Sequence, residues 1–496
     1  MIRPFIRVLA CLCLVATGVA RPTRGQIIPV RTVPVASGDQ FLLLPSTGLG
    51  MGGLAVAVDD SLADPWSNPA KGVMVRESAF LGSPTFYSIS EDGGAGRSFP
   101  LAGVFVGSGW FAGTALAIQQ IENDNRGDGF FAQPTFDVWG PPRRLSEAFE
   151  RNLYGAGFLG RGLGGPWSVG LGLSAAQLDA MDGVDLLYAG ADRIEQRGST
   201  QDIRLGLHRD GGLDRLSLLL LHSRVSMTHD VTYEGWIWDP VTLTSVFESR
   251  VEKNEDQSRT WGAQLEWDRE LAAPGWRIGA SATVNRKAHP KIPNYDIQNI
   301  PRDPGITMAY EVAFGFARTA GPTTVGVDVL LQPIWSETWQ EADAQDVADS
   351  GGTLGLGERS IENDFFFTNV VLRAGASHEV GRATFQAGLE ARSYDYTLDQ
   401  VNHVVTAYRE QSESWMEWTP TVGVVLRFAD LDVRYAARRT SGTGRPGTDW
   451  SQTTLPGIQT VISQSEGDFI IAPRGPLTLR DATVLTQQLS VRIPVR

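Results

Sequence analysis

Cysteine is nearly absent from this chain. Cys11 and Cys13 are the only two, and both lie close to the N-terminus. Without them the rest of the chain can form neither disulfide bonds nor thiolate metal sites. A basic excess is also lacking, because 43 Lys and Arg stand against 56 Asp and Glu for a net charge of -13. Since phosphate contacts need a basic surface, nucleic acid is not expected as a partner.

Long apolar runs are missing beyond residue 25. A transmembrane helix needs about 18 or more consecutive apolar residues, so a bundle of such helices is excluded. The apolar residues are dispersed instead, because 42% of all residues are hydrophobic while the mean hydropathy is only -0.12. A transmembrane β-barrel fits these values, since its strands alternate lipid-facing and lumen-facing residues.

The N-terminus has the features of a Sec-type signal peptide. Arg3 and Arg7 form a basic start, an apolar core runs from Val8 to Ala20, and small residues follow. We predict that residues 1–25 are removed on export.

From about residue 78 onward the hydrophobic pattern has a period of two. In one segment Trp261, Ala263, Leu265 and Trp267 alternate with polar or small residues. Successive side chains of a strand point to opposite faces, so each such segment has one apolar and one polar face. Aromatic residues near predicted strand ends are expected in the interfacial girdles of a membrane barrel. These residues are Trp236, Trp238, Trp335, Trp339, Trp415 and Trp418.

Connections between the predicted strands alternate in length, as in outer-membrane barrels. Short turns are predicted near residues 107–109, 163–166, 210–213, 272–275, 320–322, 380–381 and 429–430. Long polar connections are predicted at about 122–150, 179–198, 235–257, 289–305, 341–360, 399–413 and 442–482. Seven short turns give fourteen strands, and strands at about 78–88 and 483–495 raise the count to sixteen.

We therefore predict an all-β fold, a transmembrane antiparallel β-barrel of 14 to 16 strands over residues 76–496. The alternative is a soluble β-propeller, but repeated blades of about 40 residues are not found in the sequence.

Between the leader and the barrel lies the segment Leu49 to Val73, LGMGGLAVAVDDSLADPWSNPAKGV. Its glycines permit close backbone approach and positive φ angles, and its Asn-Pro dipeptide starts a turn. We predict that residues 26–75 form a luminal hatch. The residues expected to set its shape and hinge are Gly50, Gly52, Gly53, Asp59, Asp60, Asn68 and Pro69.

The order GMGG, small apolar residues, paired Asp and W-S-N-P-A in this segment resembles the start of the FadL/TodX-type long-chain fatty-acid transporters of the outer membrane, and of PorV-type barrels of type IX secretion. The resemblance implies passive uptake of hydrophobic small molecules, such as long-chain fatty acids or hydrocarbons, past a movable hatch. It also implies a cell outer membrane of the Gram-negative type, lipid contacts, barrel-assembly machinery during biogenesis, and a monomer. The resembled transporters have fourteen strands.

Two further functions stay open. One is a PorV-like structural or secretion component that binds exported proteins through its outer loops, for which the apolar 442–482 connection offers a surface. The other is an assembly or surface-anchoring barrel without cargo.

Charged residues recur on the polar face of the predicted strands. In a barrel they point into the lumen, where they pair with one another, hydrate or form a substrate site. The predicted lumen-lining residues are Glu266, Asp268, Arg277, Glu311, Asp328, Glu390, Arg392, Arg427, Asp432 and Arg434. A cross-strand pair such as Glu390 with Arg427 is conceivable.

Sites for enzymatic chemistry are not indicated. The six histidines are scattered, and a G-x-S-x-G nucleophile elbow is not found. The segment from Glu122 to Phe130 partly matches the pattern of a calcium-binding loop. However, Arg126 occupies the position of a ligand, and Gln133 occupies the position of the bidentate acid. We therefore expect a non-enzymatic protein with no cofactor and no metal.

Overall fold

A computed structural model describes residues 31, 36–90, 93–122, 149–182, 184, 193–239, 244–289, 305–342, 345–446 and 479–495. The predicted signal peptide, the 122–130 turn and most of the 442–482 connection lie outside these residues. No helix in the described part of the chain is long and apolar enough to cross a membrane.

Sixteen antiparallel strands form a closed barrel, as the alternating pattern predicted. Strand β1 has two pieces, Ala79–Gly82 and Thr85–Ile89. The following strands are β2 (Ala95–Val106), β3 (Trp110–Glu122), β4 (Phe149–Gly164), β5 (Trp167–Leu178), β6 (Arg193–Asp210), β7 (Asp214–Asp239) and β8 (Thr244–Glu270). The remainder are β9 (Trp276–His289), β10 (Gly305–Ala320), β11 (Thr323–Glu341), β12 (Arg359–Val380), β13 (Ala383–Asn402), β14 (Ala407–Arg427), β15 (Asp432–Pro446) and β16 (Leu479–Pro494).

The barrel closes between β1 and β16. Ala79 is opposite Pro494 and Val484 is opposite Ile89 in the register, and both pieces of β1 also pair with β2. The break in β1 falls at Ser83 and Pro84, because proline has no N–H to donate to a ladder. Every strand therefore has two neighbours, so the barrel has no free sheet edge.

Two of the predicted long connections are wrong. Residues 235–257 and 399–413 belong mainly to strands, because β7, β8, β13 and β14 continue until only 240–243 and 403–406 separate them. The polar composition of these segments led to the prediction of loops. A strand needs an apolar face only where it contacts lipid, so the part of a hairpin that projects beyond the membrane can be polar on both faces. The 341–360 connection contains a small hairpin between Asp346–Val347 and Thr353–Leu354.

The outward face of the barrel is an apolar band. Leu101, Leu116, Phe314 and Val422 are 71%, 59%, 59% and 55% exposed, respectively. An exposed apolar surface of this extent around a closed barrel is a lipid-facing surface.

Aromatic residues flank this band at both ends. Trp335 contacts Phe366 and Tyr310 (ring centroids 5.1 and 5.5 Å apart), while Trp110 and Trp276 lie beside short turns. Trp415 is an exception to the predicted girdle. It lies on the inward face of β14 and stacks on Tyr394 at 4.7 Å.

Inside the barrel lies the N-terminal segment, in irregular structure with short helical turns. The turns are Leu49–Met51, Asp64–Ser67 and Pro69–Met74. We call residues 36–75 the hatch. It contacts strands on both sides of the lumen, including β5, β6 and β14.

Candidate functional site: the hatch and its cradle

The glycine-rich start of the hatch rests directly on the wall backbone. Gly52 has a φ of +70°, which favours glycine, and its N–H donates to the Thr421 hydroxyl at 2.8 Å. A Cβ on Gly52 would lie 2.8 Å from the carbonyl oxygens of Ala374 and Leu389. Gly50 approaches Gly423 equally closely, with 2.9 Å from a built Cβ to the Gly423 Cα, whereas Gly53 has space but a φ of +77°. Gly50 and Gly52 are therefore points of backbone contact, whereas Gly53 supplies a positive φ.

Glycines of the wall complete this contact, and sequence reasoning missed them. A Cβ on Gly388 would lie 2.2 Å from the Gly52 nitrogen, and one on Gly375 would lie 2.3 Å from the Met51 carbonyl oxygen. Further inward wall glycines meet the hatch backbone in the same way: Gly170 at Pro69, Gly206 at Ala70, and Gly279 and Gly315 at Val56 and Ala57. We call these six residues the glycine cradle. The feature of the sequence that could have identified them is a glycine in the interior of an alternating strand, because such glycines often mark a close approach of another backbone.

Asp60 organises the hatch from within. It is 6% exposed, and its carboxylate accepts hydrogen bonds from the Ser46 hydroxyl (2.5 Å) and from the N–H groups of Thr47, Leu62 and Ala63 (2.9, 3.1 and 3.1 Å). A carboxylate that satisfies several backbone donors fixes the path of a loop that has no regular structure.

Asn68 and Pro69 start the last turn of the hatch. The Asn68 side chain accepts from the N–H of Ala70 at 3.1 Å and donates to the wall carbonyl of Leu218 at 3.3 Å. Pro69 occupies the first helical position, where its missing N–H costs nothing. This pair therefore caps a helical turn and joins it to the wall.

Asp59 faces the wall and binds two arginines. Its carboxylate lies 3.0 Å from Nη1 of Arg215 and 2.8 Å from Nη1 of Arg277. Both guanidinium groups also donate to Asp268, from Nε at 3.1 and 2.9 Å. The four side chains form an alternating network at the short-turn end of the barrel, so one hatch charge is neutralised by wall charges.

A second ion pair joins the hatch to β8. Nζ of Lys71 lies 2.7 Å from Glu266 and 3.7 Å from Asp64. Burial raises the pKa of Asp64 to about 7; Lys71 opposes this shift, while Asp60 and other nearby carboxylates add to it. Burial by itself lowers the pKa of Lys71, but Glu266 and Asp64 outweigh it and hold that pKa above the usual value.

The opposite side of the hatch is apolar. Leu62 is 7% exposed and belongs to a cluster with Phe111 and Phe158 of the wall. Trp66 packs edge-on against Phe158 with ring centroids 4.9 Å apart. On β1–β4 the hatch is therefore held by packing, and on β7–β9 by charge.

Asp328 holds the hatch through its backbone. This wall carboxylate is 1% exposed and accepts from the N–H groups of Ala55 and Val56 at 2.8 and 3.1 Å. Glu311 lies on the inward face of β10 and accepts from Gln332 at 2.6 Å.

Most of the remaining predicted lumen residues contact other wall residues. Glu390 pairs with Arg373 (2.7 Å) and with Arg392 (3.2 Å). The conceived pair of Glu390 with Arg427 is wrong, because Arg427 lies near the short-turn end and pairs with Glu379 at 3.3 Å. Asp432 lies 3.5 Å from Arg492, and Arg434 is two residues further along β15.

Further toward the long connections the lumen wall is aromatic. Phe367 and Tyr396 are 0% and 1% exposed, and their ring centroids lie 5.3 Å apart. Phe365, Leu398 and Trp415 pack in the same inward cluster. This cluster makes one sector of the inward wall apolar, on the long-connection side of the Gly52 contact.

Comparisons with known proteins give likeness of structure only. No family model matches this chain, and no curated protein matches it. A Pseudomonas aeruginosa FadL homologue has 12% identity and a TM-score of 0.43, over 93% of this chain and 100% of that chain. The Ralstonia pickettii toluene transporter TbuX has 11% identity and a TM-score of 0.36, over 90% and 97%. CdiB from Acinetobacter baumannii has 8% identity and a TM-score of 0.38, over 84% and 60%. Such distant similarity carries no argument about the cargo.

Proposed function

We propose that this protein is an outer-membrane channel for passive uptake of hydrophobic small molecules, of the long-chain fatty acid or hydrocarbon class, and that it acts without enzymatic chemistry. The observation that carries the proposal is a closed barrel whose lumen contains a hatch held only by noncovalent contacts. An apolar solute crosses a polar surface layer poorly, and an open aqueous pore gives it no favourable path. A lumen with an inward aromatic cluster above a removable hatch supplies one.

In this mechanism the cargo enters from the long connections, rests against the aromatic cluster, and leaves when the hatch moves. The residues proposed to set the hatch geometry are those predicted from the sequence, now joined by Lys71, Arg215 and the glycine cradle. We propose that the protein acts as a monomer, because one barrel contains a complete lumen and hatch.

The test is uptake of a labelled fatty acid or alkane by liposomes that contain the purified barrel. Wild-type protein should take up the label faster than empty liposomes, and a variant lacking residues 26–75 should differ from wild type. Equal, negligible uptake by both proteins would overturn the transport proposal. Recovery of exported proteins bound to the outer loops in that case would favour the secretion role.

A further inference from the structure

Three exposed arginines project from the outward face of the barrel on adjacent strands. Arg224 of β7 is directly opposite Arg259 of β8 in the register. Arg286 of β9 is opposite Trp261, so it lies diagonally next to Arg259. We call Arg224, Arg259 and Arg286 the arginine triplet. Opposite residues in antiparallel strands have Cβ atoms about 5 Å apart, so three positive charges share one small surface.

None of the three arginines forms an ion pair with another described residue, whereas neighbouring basic residues do. Arg197 pairs with Glu195 at 3.3 Å, and Lys253 pairs with Glu255 at 3.4 Å. Both pairs lie further toward the long connections on β6 and β8. Like charges directly opposite each other destabilise a sheet, so an anion that binds all three arginines would relieve a repulsion that the wall itself leaves in place.

A concavity accompanies these charges. It has a volume of about 690 Å³, and its lining includes the arginine triplet together with Gln201, Ser226 and Gln257. Guanidinium groups bind phosphate through paired N–H donors, and hydroxyl and amide groups add further donors. The donor set therefore suits a phosphorylated ligand.

The position of the concavity along the barrel indicates what else the ligand carries. On the short-turn side of the triplet the surface becomes apolar at once, with Trp261 60%, Leu220 46% and Leu265 47% exposed. His222 stacks on Trp261 at 4.0 Å and widens this aromatic surface. A ligand seated here has its anionic group at the edge of the apolar band and its hydrocarbon part along the band.

We infer that the arginine triplet binds the phosphorylated headgroup of a glycolipid of the lipid A class, in the leaflet on the side of the long connections. The acyl chains lie against Trp261 and Leu220. The inference rests on the membrane location proposed above and is independent of cargo transport. Its consequence is that one sector of the barrel, β7–β9, has a fixed lipid neighbour.

The experiment measures binding of a fluorescent lipid A analogue to the purified barrel in a neutral detergent. The test variant is Arg224→Gln/Arg259→Gln. The matched control is Arg193→Gln/Arg197→Gln, which removes two exposed arginines that both already pair with the Glu195 carboxylate. Heat-modified mobility on gels establishes that each variant is a folded barrel. Arg→Lys replacements at the two test positions keep the positive charge but lose the two parallel N–H donors of the guanidinium group.

We expect about a tenfold or larger loss of lipid A affinity in the test variant, little change in the control, and an intermediate affinity for the lysine variant. Inorganic phosphate should compete only weakly. Equal affinity of the test variant and wild type would overturn the inference, as would inorganic phosphate binding as tightly as the lipid, which would indicate a site for a free anion. Fatty-acid uptake in liposomes lacking lipid A should be unchanged by the test variant. A failure of uptake in wild type would overturn transport while leaving lipid binding intact.

Discussion

The two sides of the hatch are held by different forces. On β1–β4, Leu62 and Trp66 are packed against wall aromatics, and on β7–β9, Asp59 and Lys71 form ion pairs. Apolar burial is insensitive to salt and needs close fit, whereas ion pairs with partial exposure are weak individually and are screened by salt. For the hatch movement proposed above, we therefore predict that the charged side is released first and that the apolar side acts as the pivot.

The largest expected effect comes from the glycine cradle, which lies mostly on strands between these two sides. In Gly388→Val the new side chain overlaps the Gly52 backbone, so the hatch cannot seat. Overpacking against backbone costs about 3 kcal/mol, which corresponds to about a hundredfold increase in the displaced hatch. We expect liposomes that contain this variant to swell faster in a solution of a small sugar than liposomes that contain the wild-type protein. Gly162→Val is the matched control, because a Cβ there has its nearest neighbour at 3.9 Å. Similar swelling with both variants would contradict the cradle.

The apolar pivot is tested by Leu62→Ala. Removing a buried leucine side chain costs about 2 kcal/mol where the surrounding structure can relax, as an irregular segment can, so hatch cleavage by an added protease should accelerate equally at low and high salt. Val73→Ala, at a hatch residue that is 44% exposed, should leave the rate near that of wild type. A strong salt dependence of the Leu62→Ala effect would argue that the contact is not apolar packing.

The pH dependence of hatch release tests the charged side. The pKa of Asp64 is about 7 in the seated hatch, against about 3.9 when exposed. A raised pKa means that the seated form holds the proton more tightly. The stabilisation is therefore complete below about pH 4 and is lost as the pH rises through about 7.

Protease cleavage of the wild-type hatch should accordingly increase between pH 4 and 8, after correction for the protease itself. Asp64→Asn should flatten the profile, and Asp210→Asn in an exposed short turn should not. An unchanged profile in Asp64→Asn would contradict the assignment of the pH dependence to Asp64.

The smallest effect is expected from Asp59→Asn. Asp59 has a side chain that is 40% exposed, so the loss of its two arginine contacts is worth about 1 kcal/mol at low ionic strength. Hatch cleavage should rise several-fold at low salt and converge with wild type in 1 M salt, where the screening length is about 3 Å. A difference that persists at high salt would show that the network is structural rather than electrostatic.

Local pattern was enough to predict the wall. Trp261 and Leu265 face outward because alternation is a property of the strand itself, and short turns are marked by their own residues. The same argument failed for residues 235–257, where strands leave the membrane and no longer need an apolar face. It failed also for Trp415, because an aromatic residue near a strand end suits either face.

Contacts across the lumen could not be predicted from the local sequence pattern. Nothing near Asp59 in the chain distinguishes it from Asp60, yet one binds wall arginines and the other binds backbone N–H groups of its own loop. In the sequence, Gly388 cannot be distinguished from other small residues of a strand. In the structure, its lack of a side chain leaves the space that the Gly52 backbone occupies.

The amino-acid sequence by itself determined most of the strands, their two faces, the even strand count and a glycine-rich segment before them, because each depends on neighbours along the chain. Only the tertiary structure decided which charges pair, which glycines form the cradle and where three arginines meet on the outer surface. Asp59 and Arg277 are separated by 218 residues, and their contact exists because barrel closure brings distant strands around one segment. Barrel closure is a property of the whole sheet, so no local pattern encodes the contacts that it creates across the lumen.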